Sequence, residues 1–214
     1  MDTDRNRLFW DRSWGSADAG RIASYIGQFD PAEDRIIHTL KERGRKHVCD
    51  AGCGCGVYSL KLARYGFWVS GFDIAEQAVL MAQKLLSDNG YPAADFRRAD
   101  ILFTGYENER FDAVVARDVI DHLPFRQGIE AVRELLRIVR PGGCVLLTLD
   151  ASDEEYESEP HTTNEDGDYL YFGGKWDGMV FHPYSPGDIG KLAEGLNGRQ
   201  LPLEDGGRLV VLDR

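Results

Sequence analysis

Two apolar periods alternate along the first 150 residues of this 214-residue chain. Ile36, Ile37 and Leu40 recur at helical spacing behind Asp30-Pro31-Ala32-Glu33, a capping Asp with Pro and Glu in the first turn, and Gly44 closes the helix. His47 to Asp50 then reads as a short strand. Tyr58 to Tyr65 predicts a helix closed by Gly66, and Trp68 to Phe72 a strand ending at Asp73. Glu76 to Ser87 predicts a helix stopped by Asn89-Gly90. Phe96 to Arg98 reads as a strand ending near Asp100. Phe111 to Ala116 and Cys144 to Leu149 are continuous apolar strands, separated by a helix over Gly128 to Val139 that Pro141-Gly142-Gly143 stops. Strands apolar on both faces, alternating with helices, call for a parallel sheet covered on both sides. Right-handed crossovers make it doubly wound, and such sheets bind ligands at the carboxyl ends of their strands.

The rhythm changes after Asp150. Asp150 to Asp168 carries nine carboxylates and no Lys or Arg, which suits either an exposed loop or a lid over a cationic substrate. A Gly/Tyr/Trp-rich stretch, Gly167 to Tyr184, follows. Ser185-Pro186-Gly187-Asp188 opens a helix to about Leu196. Gln200 to Leu203 and Arg208 to Leu212 flank Asp205-Gly206-Gly207 as a hairpin. A single domain over 1–214 is expected: an aromatic N-terminal segment 1–29, a core 30–150, an acidic and aromatic insertion 151–184, and a helix and hairpin over 185–214.

The net charge is −11, which opposes general binding to phosphate backbones and makes nucleic acid an unlikely partner. No apolar run approaches the roughly 20 residues of a membrane helix, and the charged opening MDTDRNRLFWDRSW lacks the apolar centre of a signal peptide. A cytoplasmic protein with no membrane partner and reduced cysteines is expected.

The informative stretch is VCDAGCGCGVYSL, Val48 to Leu60. Its cysteines, Cys49, Cys53 and Cys55, do not have the paired spacing of zinc knuckles, and Cys144 lies in an apolar strand, so no metal is expected. Gly52 and Gly54 begin a G-x-G-x-x-G fingerprint, but Val57 stands at its last position; no Gly-Lys-Ser/Thr follows for a phosphate loop. What remains is an acid, Asp50, and three glycines between a strand and a helix. Glycines admit a tight turn and close ligand approach, and the helix start offers free amides. Asp50 suits a cation, and Asp73 suits the diol of a ribose.

Val48-Cys49-Asp50-Ala51-Gly52-Cys53-Gly54-Cys55-Gly56 resembles the first motif of class I S-adenosylmethionine-dependent methyltransferases. Gly71-Phe72-Asp73-Ile74-Ala75 resembles the second, Arg98-Ala99-Asp100-Ile101 the third, and Phe111 to Asp118 the fourth, with Val119-Ile120-Asp121-His122-Leu123 continuing it as in the small-molecule branch. The resemblance implies a mostly parallel seven-stranded sheet, helices on both faces, the last strand antiparallel. It implies S-adenosylmethionine as cofactor, held by Asp50, Gly52, Cys53, Gly54, Asp73, Ile74, Asp100, Ile101 and Arg117, with Asp73 on the ribose, Asp100 and Ile101 near the adenine, and Arg117 facing the methionine part.

The pattern lacks Asp/Asn-Pro-Pro-Tyr/Phe after the fourth strand, where Ala116-Arg117-Asp118-Val119 stands, and the Pro-Cys of cytosine C5 enzymes. A small-molecule acceptor methylated on oxygen or nitrogen is therefore expected. Protein or RNA methylation, aminopropyl transfer on the same fold, and a non-catalytic cofactor-binding module are the alternatives. His122 is the candidate base or acceptor contact. Trp10, Trp14, His182 and Tyr184 are candidates for the acceptor pocket, with Tyr25 and Trp176 as further aromatic candidates.

Overall fold

The structure is a computed structural model that describes residues 2–17, 20, 32–91 and 95–214. The Asp30-Pro31 helix start and Tyr25 lie outside the described residues. Helix α1 spans Asp2–Gly15 and precedes the alternating core. That core runs α2 (Glu33–Glu42), β1 (His47–Ala51), α3 (Val57–Arg64), β2 (Trp68–Asp73), α4 (Glu76–Asp88), β3 (Phe96–Arg98), β4 (Phe111–Arg117), α5 (Phe125–Ile138) and β5 (Val139–Leu149). The expected strands and helices are all present, with ends shifted by a few residues.

The seven-stranded sheet has the order β3-β2-β1-β4-β5-β10-β9, where β9 is Asn197–Pro202 and β10 is Arg208–Asp213. The first five strands are mutually parallel, and β10 runs antiparallel to both β5 and β9. The strand order reverses between β1 and β4. The carboxyl ends of β1, β2 and β4 therefore face one crevice, as the doubly wound plan requires.

Alternation explains the two cores. Val114, Ala116, Val145 and Leu147 point to the face covered by α5 through Ala131, Val132 and Leu135. Ala113, Val115, Cys144 and Leu146 point to the opposite face, covered by α2 through Ile36, Ile37 and Leu40 and by α3 through Leu60 and Leu62. Central strands buried on both sides read as near-continuous apolar runs, broken by Asp112, which accepts the Lys46 and His47 N–H groups, and by Thr148, which bonds Asp118. Cys49, Cys53, Cys55 and Cys144 are all buried thiols outside any disulfide, and burial pushes the Cys49, Cys53 and Cys144 thiols up. They pack as small apolar side chains.

Two elements depart from expectation. Helix α5 begins at Phe125 rather than Gly128. The Asp168 carboxylate accepts the Phe125 N–H at 2.9 Å, so a remote side chain caps the extra turn. The insertion after Asp150 forms α6 (Glu154–Ser158) and a separate antiparallel sheet of β6 (His161–Thr163), β7 (Tyr169–Tyr171) and β8 (Val180–Phe181). Its apolar centre, Tyr171, Met179 and Phe181, packs with Phe9 and Trp10 of α1 and with Tyr156. Its carboxylates are largely matched locally: Lys175 meets Glu155 and Glu159, and Arg126 meets Asp166. Helix α7, Pro186–Leu192, carries the capping box Ser185–Asp188.

Candidate functional site

A cavity of about 470 Å³ opens at the carboxyl ends of the parallel strands, where α1 closes one side. This is the size range of small-molecule sites. The glycine loop forms its floor. Gly52 and Cys53 each donate their N–H to the Phe72 carbonyl, at 2.8 and 2.9 Å, which folds the loop back over the end of β2. Gly54 donates its N–H to Asp73 Oδ2 at 2.9 Å, and Ala75 N donates to Oδ1 at 2.9 Å. Asp73 thus ties the glycine loop to Ala75, the residue before α4, while bordering the cavity.

Two glycines are fixed by close approach. Gly54 has φ of +50°, and a Cβ there would lie 2.7 Å from the Trp14 ring. Gly52 has φ of +70°, and its Cβ would meet Val119 at 2.5 Å. Both need the left-handed region and the missing side chain.

Burial dominates the electrostatics. Burial pushes Asp73 up to about 6 against the backbone N–H groups that favour its charge. Burial also pushes Asp50 up to about 6, while Ser59, which donates its hydroxyl to Asp50 Oδ2, and Arg117 act in the other direction. Arg117 lies 4.4 Å over the Tyr58 ring. Asp118 stands at φ of +53°, held by Thr148, whose hydroxyl accepts the Asp118 N–H at 3.0 Å and donates to Asp118 Oδ1 at 2.5 Å. A non-glycine residue in that region, at the end of a strand and on a cavity wall, is costly backbone that surrounding contacts sustain.

The residues expected to hold the cofactor, Asp50, Gly52, Cys53, Gly54, Asp73, Ile74, Asp100, Ile101 and Arg117, all border this cavity, as do Trp10, Trp14 and His122. Asp100 accepts the Leu102 N–H at 2.9 Å in a side-chain turn. His122 lies edge-on to Trp10, with ring centres 4.9 Å apart, and burial pushes its imidazole down to about 4. Burial, with Asp150 and Asp118 nearby, pushes the fully buried Asp121 well up.

His182 and Tyr184 do not border the cavity, contrary to expectation. His182 is buried with Nδ1 2.8 Å from Asp168, and its ring stacks on Phe125. Tyr184 lies against Gly128, where a Cβ would come within 2.3 Å of its hydroxyl. Both serve to lock the start of α5 to the insertion.

Asp118 of the fourth motif also borders the cavity, and so do Asp4, Asn6, Arg7 and Gln127, which no sequence motif marks. Asn6 is buried; its Nδ2 donates to the His122 carbonyl at 2.6 Å and its Oδ1 accepts the Val180 N–H at 3.2 Å. It fastens α1 to the turn after β4 and to β8. One polar residue in a charged helix gives no sequence signal for this.

Residues 48–143 match the family described as "Methyltransferase domain". The protein YqeM of Bacillus subtilis is 31% identical over 158 residues, 70% of this chain and 62% of that protein. A ubiquinone biosynthesis O-methyltransferase of Leptothrix cholodnii is 31% identical over 114 residues, 53% of this chain and 48% of that protein. The chain thus spans about half to three-fifths of the length of these relatives. A solved S-adenosylmethionine-dependent methyltransferase of Methanosarcina mazei shares the fold with a TM-score of 0.67 at 20% identity, covering 84% of this chain and 96% of that one. Residues 48–143 are thus similar to a methyltransferase domain, and the chain shares its fold with solved S-adenosylmethionine-dependent methyltransferases.

Proposed function

We propose that this protein transfers a methyl group from S-adenosylmethionine to an oxygen or nitrogen atom of a small molecule. The observation that carries the reading is Asp73: a buried carboxylate at the end of β2, tied to the glycine loop through Gly54, on the wall of the strand-end cavity. A carboxylate has about four acceptor positions; the amides of Gly54 and Ala75 leave room for the paired hydroxyls of a ribose. Asp50 would take the cofactor's ammonium group, with Arg117 beside it. Asp100 and Ile101, after β3, would border the adenine.

When bound, the cofactor supplies an electrophilic methyl on a sulfonium. The residues of this chain mainly orient the two reactants, an effect worth roughly 7–11 kcal/mol in favourable cases. Trp10, Trp14, Asn6, Asp118 and His122 form the wall left for the acceptor, and α1 limits water there. The N-terminal segment on this reading is a lid over cofactor and acceptor. The curated relative from Leptothrix, named as an O-methyltransferase of ubiquinone biosynthesis, supports a small acceptor with a hydroxyl.

Calorimetric titration with S-adenosylmethionine and S-adenosylhomocysteine tests the reading. Micromolar binding that Asp73→Ala abolishes is expected. Absence of binding by folded protein overturns it.

A further inference from the structure

A second group of side chains lies behind the acceptor wall. Asp121 and His122 occupy the 3-10 turn Ile120–His122 after β4, and Asp150 follows β5. One carboxylate oxygen from each aspartate and one ring nitrogen of His122 lie within 4.8 Å of one another.

Asp121 is fully buried. Its Oδ2 accepts the Asp150 N–H at 2.9 Å, but its Oδ1 has no hydrogen-bond partner among the described residues. A buried carboxylate oxygen left in this way is costly. A cation would relieve it, since it would draw on Oδ1, the imidazole and Asp150 together.

The outer contacts suit ligands. Asp150 Oδ2 accepts the Tyr156 hydroxyl at 3.1 Å, and His122 Nδ1 lies 3.4 Å from the Val180 carbonyl oxygen. An imidazole that gives its Nδ1–H to a carbonyl keeps the Nε2 lone pair for a metal, and such outer hydrogen bonds fix ligand orientation. Asp118 adds a further nearby carboxylate.

We propose that Asp121, His122 and Asp150 form a three-ligand site for a divalent first-row transition ion, which braces the turn after β4 against the end of β5. One nitrogen and two carboxylates favour Mn²⁺ or Zn²⁺ over the all-oxygen sites of Mg²⁺ and Ca²⁺. No sequence spacing marks this site: Asp121 and His122 are adjacent, Asp150 is far along the chain, and the neighbouring positions of β4 and β5 unite them. Since His122 and Asp118 border the cavity, the ion would set the position of the acceptor wall; that consequence rests on the methyltransferase reading, while the site itself does not.

The test uses untagged full-length protein stripped by chelator and dialysed. Mn²⁺, Zn²⁺, Mg²⁺ and Ca²⁺ are titrated separately by calorimetry, with melting temperature followed in parallel. One equivalent of Mn²⁺ or Zn²⁺ is expected to bind and raise the melting temperature by several degrees. Asp150→Asn, at a half-buried position that keeps the backbone donor, should weaken that binding at least 100-fold, as should Asp121→Asn. No binding of Mn²⁺ or Zn²⁺ at millimolar concentration, equal binding of all four ions, or unchanged binding by a folded Asp150→Asn overturns the site. Titration of the same sample with S-adenosylmethionine separates the two readings: retained cofactor binding without ion binding discards the metal site alone.

Discussion

The Gly54 amide donates to the Asp73 carboxylate across 2.9 Å, so the glycine loop and the second strand share one buried charge. Removing that charge acts on both. Asp73→Ala should lose its contacts to the ribose, each charge-assisted hydrogen bond being worth about 1.5–3 kcal/mol. A fall in affinity for S-adenosylhomocysteine of about 100-fold or more is expected by calorimetry. Unchanged affinity in a folded variant would remove Asp73 from the cofactor site.

The same carboxylate sets a pH dependence. Asp73 and Asp50 are both pushed up to about 6 by burial. Cofactor contacts need the ionised forms, so affinity should fall as pH drops through 6, by up to about tenfold per unit for each group. Stability of the free protein has the opposite sign. Each folded-state value lies above the ordinary one near 4, so the folded protein holds more protons between them, and these two groups make it more stable as pH falls from 7 through 6 towards 4. Calorimetry and thermal melts between pH 5 and 8 should show the two trends diverge.

Gly54→Ala should be poorly tolerated. It places a methyl 2.7 Å from the Trp14 ring and forces φ of +50° on alanine. Overpacking costs about 1–3 kcal/mol, and the left-handed region adds about 1 more. A lower melting temperature together with weaker cofactor binding is expected. A variant matching the parent in both would mean that α1 does not sit on the loop in solution.

Asn6→Ala tests the fastening of α1. It leaves the His122 carbonyl and the Val180 amide without the partners they now have, at about 1–3 kcal/mol for each group left unsatisfied. Faster hydrogen exchange in α1 and in β8, with the core strands unaffected, is the expected outcome. Uniform protection would show that α1 is held by apolar contacts alone.

The core and the glycine loop were legible because their signals are local and redundant. The apolar runs at Phe111 and Cys144 mark strands buried on both faces, and Asp50, Gly52, Gly54 and Asp73 are read off one crossover unit. The rest depends on distant partners. β6, β7 and β8 have three, three and two residues, too few to display a period of two. The first turn of α5 is capped by Asp168, far along the chain. His182 and Tyr184 looked available for the pocket because nothing near them in sequence reveals that Asp168, Phe125 and Gly128 occupy their surroundings.

The position of β10 has a consequence for assembly. This strand lies between β5 and β9, inside the sheet rather than at its rim. During synthesis β5 has a free, apolar edge until residues 208–213 have left the ribosome. An open edge of that kind invites pairing with other chains, and nascent chains are most exposed to such errors while elements wait for late partners. Pausing of translation between β5 and β10 should therefore favour aggregation more than pausing anywhere before β4.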